Sequence, residues 1–136
     1  MKKNGFTLIE VLVVLAIVGL LVVFLVPKLM GIQDRAKETA VKAVMHSVQL
    51  GVEAYNMENT VYPFATNISI RELCENYLMV GGYIAEVPKN PFTGKEYTDS
   101  DTAGKIIYNY DDSTGAYTLI GYKRDGTKKL LELSNM

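Results

Sequence analysis

Gly5-Phe6-Thr7-Leu8-Ile9-Glu10-Val11-Leu12-Val13-Val14-Leu15-Ala16-Ile17-Val18-Gly19 opens a run with no charged side chain from Val11 to Pro27. Glu10 stands alone at its edge, and Lys2 and Lys3 precede it. The uncharged 17 residues would span about 26 Å as an ideal helix, and Phe6 to Ile9 lengthen that toward a bilayer crossing. Lys28 marks the far boundary, where its stem can lie along apolar surface while the ammonium reaches water. An ionised carboxylate costs about 2.5–3.5 kcal/mol at mid-bilayer on insertion scales. Glu10 is therefore read as functional.

A secretory signal places its apolar region before the cleavage site, so cleavage discards that region. Here the basic residues and Gly5 come first and the apolar stretch follows. Cleavage after Gly5 would start the mature chain at Phe6 and keep the hydrophobic segment. The new α-amino group would then lie one helical turn from Glu10, an ammonium and a carboxylate able to pair within one chain or between neighbours. The plainer alternative is an uncleaved anchor with a basic tail and a chance glutamate.

These residues closely resemble the class III leader and N-terminal helix of type IV pilins and pseudopilins. The resemblance implies cleavage between Gly5 and Phe6 by a membrane aspartyl prepilin peptidase, which also N-methylates Phe6. It implies that Glu10 sets subunit register by meeting a neighbour's N-terminal amine, and methylation keeps that amine cationic. The implied partners are identical subunits in a helical filament, the peptidase, an inner-membrane assembly platform with its ATPase, and the membrane itself before assembly. Gly19 to Pro27 matches the stretch that can lose helicity in such filaments. Proline also lacks an amide proton and clashes with the preceding turn, so a kink is expected in the free subunit.

The expected organisation is a leader at 1–5, a transmembrane and filament-core helix at 6–30, and a globular domain at 31–136. Beyond Lys28 the pattern turns amphipathic, with Val41, Val44, Met45, Val48, Val52 and Tyr55 at helical spacing. One helix from about Phe6 to about Glu58 follows, near 80 Å if straight, its hydrophobic half protruding and its second half packed on a sheet. Asn59-Thr60-Val61-Tyr62-Pro63 ends it.

Thr60 to Lys105 reads as a connecting lobe. Ser69-Ile70-Arg71-Glu72 fits a capping box, so a short helix is expected from about Ile70 to Leu78, stopped by Gly81-Gly82. Pro88-Lys89-Asn90-Pro91-Phe92-Thr93-Gly94 is turn-rich and resembles the loop before the sheet in major pseudopilins. Strands are expected at 105–110, 116–123 and 128–133, the last two joined by Asp125-Gly126. Ile107, Leu119 and Leu131 are the candidates to cover the helix. The fold class is α+β and pilin-like: a long N-terminal helix on a small three-stranded antiparallel C-terminal sheet.

At 136 residues there is room for one domain beyond the apolar segment. Removing Lys2 and Lys3 with the leader takes the basic count from 14 to 12 against 15 acidic side chains, and no long basic run offers a nucleic-acid footprint. The single cysteine, Cys74, forms no intrachain disulfide, a departure from many pilins. It reads as a buried or semi-buried thiol, and His46, the one histidine, as structural or solvent-facing. No catalytic residue and no cofactor is expected. Asp99, Asp101, Asp111 and Asp112 are weak calcium candidates by donor chemistry. The resemblance separately implies calcium in the C-terminal loop, where Asp125-Gly126 is followed by Lys128 and Lys129.

Three functions are in view. The first is the subunit of a type IV pilus-like filament, and the second a major-type pseudopilin of a type II secretion or competence system. The third is a monomeric membrane-anchored binding module. The first two place the precursor in the cytoplasmic membrane, and the assembled form outside the cell or within the envelope.

Overall fold

The computed structural model describes residues 5–136, so residues 1–4 of the expected leader, with Lys2 and Lys3, lie outside the described residues. The chain divides into two units, the first ending at Arg35 and the second covering Ala36–Met136. Helix α1 runs Leu8–Asn59 with no break in its helical assignment at Gly19 or Pro27. In the first unit every described residue from Gly5 to Gln33 is exposed. Large side chains such as Leu8, Phe24 and Val23 are 80%, 71% and 68% accessible. A soluble core buries such residues, so this surface is built for an apolar surrounding.

The second unit contains the core. From α1 it takes Val41, Met45, Val48 and Val52, all fully buried, the stripe expected from their helical spacing. Each such side chain contributes about 1.5–3 kcal/mol on burial. The helix ends at Asn59 because Thr60 turns left-handed, at φ 61°. The Thr60 amide still reaches the Asn56 carbonyl at 2.7 Å, and Asn59 Nδ2 donates to the Tyr55 carbonyl at 3.0 Å.

The sheet has four strands, one more than expected: β1 (Ile68–Ser69), β2 (Ile106–Asp111), β3 (Ala116–Tyr122) and β4 (Lys129–Ser134). They lie in the order β1-β2-β3-β4, each pair antiparallel. β1 is only two residues long, and two residues carry no alternation to read. Ser69 then caps α2 (Ile70–Leu73), its Oγ accepting from the Glu72 amide at 3.1 Å, and Cys74–Leu78 continues as a π-helical turn.

One face of the sheet differs from the sequence expectation. On β2 the inward residues are Ile106 and Tyr108, whereas Ile107 is only partly buried and pairs with Ile120. Side chains alternate along a strand, so choosing Ile107 inverts the face. Leu119 is buried as expected, opposite Tyr108 and Leu133. Leu131 packs against the core and pairs with Gly121, which also faces Ile106. A β-carbon at Gly121 would enter the space of the Met45 thioether, so this glycine is where helix α1 approaches the sheet.

Candidate assembly site at the start of helix α1

Gly5, Phe6 and Thr7 precede the first helical turn and are exposed, leaving the Gly5–Phe6 peptide in irregular, accessible chain. The helix then opens on a reciprocal cap. Thr7 Oγ1 accepts from the Glu10 amide at 3.3 Å, and Glu10 Oε2 accepts from the Thr7 amide at 3.1 Å. Two amides that a helix start leaves without intrahelical partners are satisfied this way. The carboxylate also sits at the positive end of the helix dipole. The sequence carries the signal, Thr7-x-x-Glu10, at the same spacing as Ser69-x-x-Glu72.

Phe6, Glu10, Val11, Val14 and Leu15 border one shallow, largely apolar hollow. Gly5 and Phe6, the expected cleavage pair, and the Glu10 carboxylate thus lie within one stretch of the first unit. Gly19 has open space where a β-carbon would be, so no described neighbour requires a glycine there.

The four calcium candidates are not brought together. Asp99 and Asp101 border one hollow beside Lys105, and Asp111 and Asp112 border another. Oxygens of three of them serve local structure. Asp99 takes a hydrogen bond from Ser69 Oγ. Asp101 accepts from the Thr98 amide at 3.0 Å, the Thr98 hydroxyl at 2.8 Å and Asn90 Nδ2 at 3.2 Å. Burial opposes the charge on Asp101, but these donors outweigh it and hold the carboxyl below the ordinary aspartate range. Asp111 is held low by the Ser113 hydroxyl and amide. In the C-terminal turn, Asp125 Oδ1 accepts from the Thr127 and Lys128 amides, both at 3.0 Å, with the Lys128 charge beside it. That turn engages one oxygen of its own carboxylate, and the neighbouring Lys128 charge opposes a cation there.

Asn90, within the turn-rich Pro88-to-Gly94 stretch, is the one buried polar side chain among the described residues, a role its place in the motif does not itself specify. Its Nδ2 donates to the Ala103 carbonyl at 2.8 Å, and its Oδ1 accepts from the Phe92 amide at 3.0 Å. Glu53 accepts from Tyr117 at 2.6 Å and Tyr62 at 3.0 Å, joining α1, the following loop and β3. Asn90 lies in the Pro88-to-Gly94 stretch that resembles the pseudopilin loop, whereas Glu53 is marked in the sequence only as a polar position between the apolar ones of α1. Cys74 is buried, and burial, aided by the Glu75 charge, pushes its thiol up to about 12. His46 is exposed.

An apolar N-terminal helix with one capped carboxylate, continuing into a helix packed on a small antiparallel sheet, defines the type IV pilin and pseudopilin class. Residues 1–26 match the prokaryotic N-terminal methylation motif. The type II secretion system core protein G of Vibrio cholerae serotype O1 is 35% identical over 104 residues, covering 71% of this chain and 69% of that protein. Its counterpart in Escherichia coli strain K12 is 33% identical over 135 residues, covering 92% and 84%. That of Dickeya chrysanthemi is 33% identical over 122 residues, covering 80% and 77%. No solved structure matches significantly. The chain belongs to the type II secretion system core protein G family.

Proposed function

We propose that this chain is a pseudopilin: a structural subunit of a type II secretion apparatus that polymerises into a helical filament within the envelope. The names and coverage of its relatives favour this reading over the surface pilus and the monomeric anchored module. A prepilin peptidase cuts between Gly5 and Phe6 and methylates Phe6. The subunit waits in the cytoplasmic membrane and leaves it on an assembly platform driven by an ATPase. The work is assembly, not catalysis, and uses no bound cofactor.

The Thr7–Glu10 cap carries the proposal. In the waiting subunit the Thr7 amide satisfies Glu10, which lowers the cost of keeping a carboxylate beside hydrocarbon. In the filament the cationic terminus of a neighbour's Phe6 is the stronger partner. A subunit in the wrong register would leave that carboxylate desolvated and unpaired, so register follows from electrostatics. The charge-free surface from Val11 to Val26 bundles with its copies to form the filament core. The second unit adds Ala43, Leu50 and Met57, exposed and spaced by seven residues on α1, a second uncharged face for helix contact. Gly19 to Pro27 is the stretch that unwinds on assembly.

Intact-mass analysis of the chain isolated from cells that carry its secretion genes tests the processing half. The expected product begins at N-methylated Phe6. A product that keeps residues 1–5 contradicts the reading and favours the anchored module.

A further inference from the structure

At one end of the sheet the second unit holds an open groove of about 490 Å³ with a mainly apolar lining. Its lining includes Phe64 and Tyr110, whose ring centroids are 5.0 Å apart at 50°. Phe64 remains 65% exposed, an aromatic left in water on a domain that buries most of its tyrosines at least partly. Asp111 and Asp112 line it too, and no described lining residue is cationic. Ser113 holds the Asp111 carboxyl in its charged form. Two rings beside two carboxylates suit a lysine or arginine side chain, whose cation meets ring faces and carboxylates while its stem covers apolar surface. The domain already places lysine over aromatic rings, Lys105 over Tyr122 at 4.9 Å and Lys37 over Phe92 at 5.9 Å.

The β3–β4 turn, Lys123-Arg124-Asp125-Gly126-Thr127-Lys128-Lys129, has the complementary chemistry. Its one carboxylate, Asp125, is engaged by the turn's own amides, and Lys129 pairs with Glu132 at 2.9 Å. Of the turn's other lysines, Lys128 is exposed, with its charge beside Asp125, and Lys123 is half-buried. The turn cannot fill the groove of its own chain. β3 separates the two over seven residues, about 23 Å of extended chain.

We propose that the Phe64–Tyr110 groove, lined also by Asp111 and Asp112, receives the basic β3–β4 turn of a second copy of this chain. Unlike surfaces at opposite ends of one strand make a heterologous contact, which repeats without closing and so propagates along a filament. The inference rests on the pseudopilin reading and supplies a contact between sheet domains that Glu10 does not.

The test uses the full chain produced with its secretion machinery, scoring sedimented sheared filaments. The paired changes Asp111→Lys with Asp112→Lys, or Lys123→Glu with Lys128→Glu, are expected to lower filament yield about fivefold or more. Combining all four in one chain restores opposite charges between copies, and yield recovers. Thermal unfolding of each variant controls for folding. Independently, Thr114→Cys with Lys128→Cys is expected to give a ladder of disulfide-linked oligomers under oxidation, while each single change gives none. Wild-type filaments unaffected by either charge pair, or a double-cysteine chain that stays monomeric within filaments, overturns this contact and leaves the pseudopilin reading standing. No filaments from the wild-type chain overturns both.

Discussion

Met45 fills the space that a side chain at Gly121 would need, with its Cε 3.3 Å from the position of the missing β-carbon. Met45 is fully buried, and Gly121 lies between Ile106 and Leu131 on the neighbouring strands. Helix and sheet therefore meet where one strand has no side chain. Gly121→Ala forces the thioether out of its place and is expected to cost about 1–3 kcal/mol, the range for overpacked cores. Chemical denaturation of the detergent-solubilised chain measures it. The double variant with Met45→Ala should cost less than the sum of the two single changes, because the residues share one space.

Asp101 gives the domain an acid-sensitive loop. Its carboxyl is held below the ordinary aspartate range, so the folded state favours the charged form. That contribution is present above the unfolded aspartate value and is lost as pH falls through the lowered folded value. Asp101→Asn is expected to flatten the acid limb of a stability-versus-pH curve while shifting the neutral plateau less. An acid limb identical to wild type would show that the Thr98 and Asn90 contacts contribute nothing to folding.

At the alkaline end, Tyr117 is raised above the ordinary phenol value by burial first and by its bond to Glu53 second. A raised folded value means that its contribution is present below the unfolded value and lost as pH rises through the folded one. Tyr117→Phe removes one donor from Glu53 and is expected to destabilise by about 0.5–1.5 kcal/mol near neutrality. Ultraviolet titration of phenolate in the wild type should show Tyr117 among the last tyrosines to ionise.

Cys74 is fully buried, with its thiol pushed up to about 12. The thiolate is the reactive form, so labelling by a disulfide reagent near pH 8 should be slow in the folded chain and rapid in denaturant. Fast labelling of the native protein would contradict its burial in the core.

Much of this architecture was legible before any coordinates. Val41, Met45, Val48 and Val52 announce a buried helix face through spacing alone, and Ser69-x-x-Glu72 announces the start of α2. The three longer strands lie within a residue or so of their expected bounds. The misreadings share a cause in short-range ambiguity. Ile106 and Ile107 are adjacent and equally apolar, so only the pairing with β3 decides which one faces the helix. β1 exists because Ile68 and Ser69 find Tyr108 and Ile107, a long-range pairing that two residues cannot advertise. The roles of Asn90 and Glu53 likewise depend on partners far along the chain. The Thr7–Glu10 cap differs: its signal is local, but the same glutamate also carries a membrane signal that masks it.

The account stands most directly on Glu10. Cells producing the chain with its secretion machinery should yield sheared filaments visible by negative-stain electron microscopy. Glu10→Ala should yield none, although the processed subunit accumulates in the membrane. Filaments of Glu10→Ala as abundant and as regular as those of the wild type would contradict it.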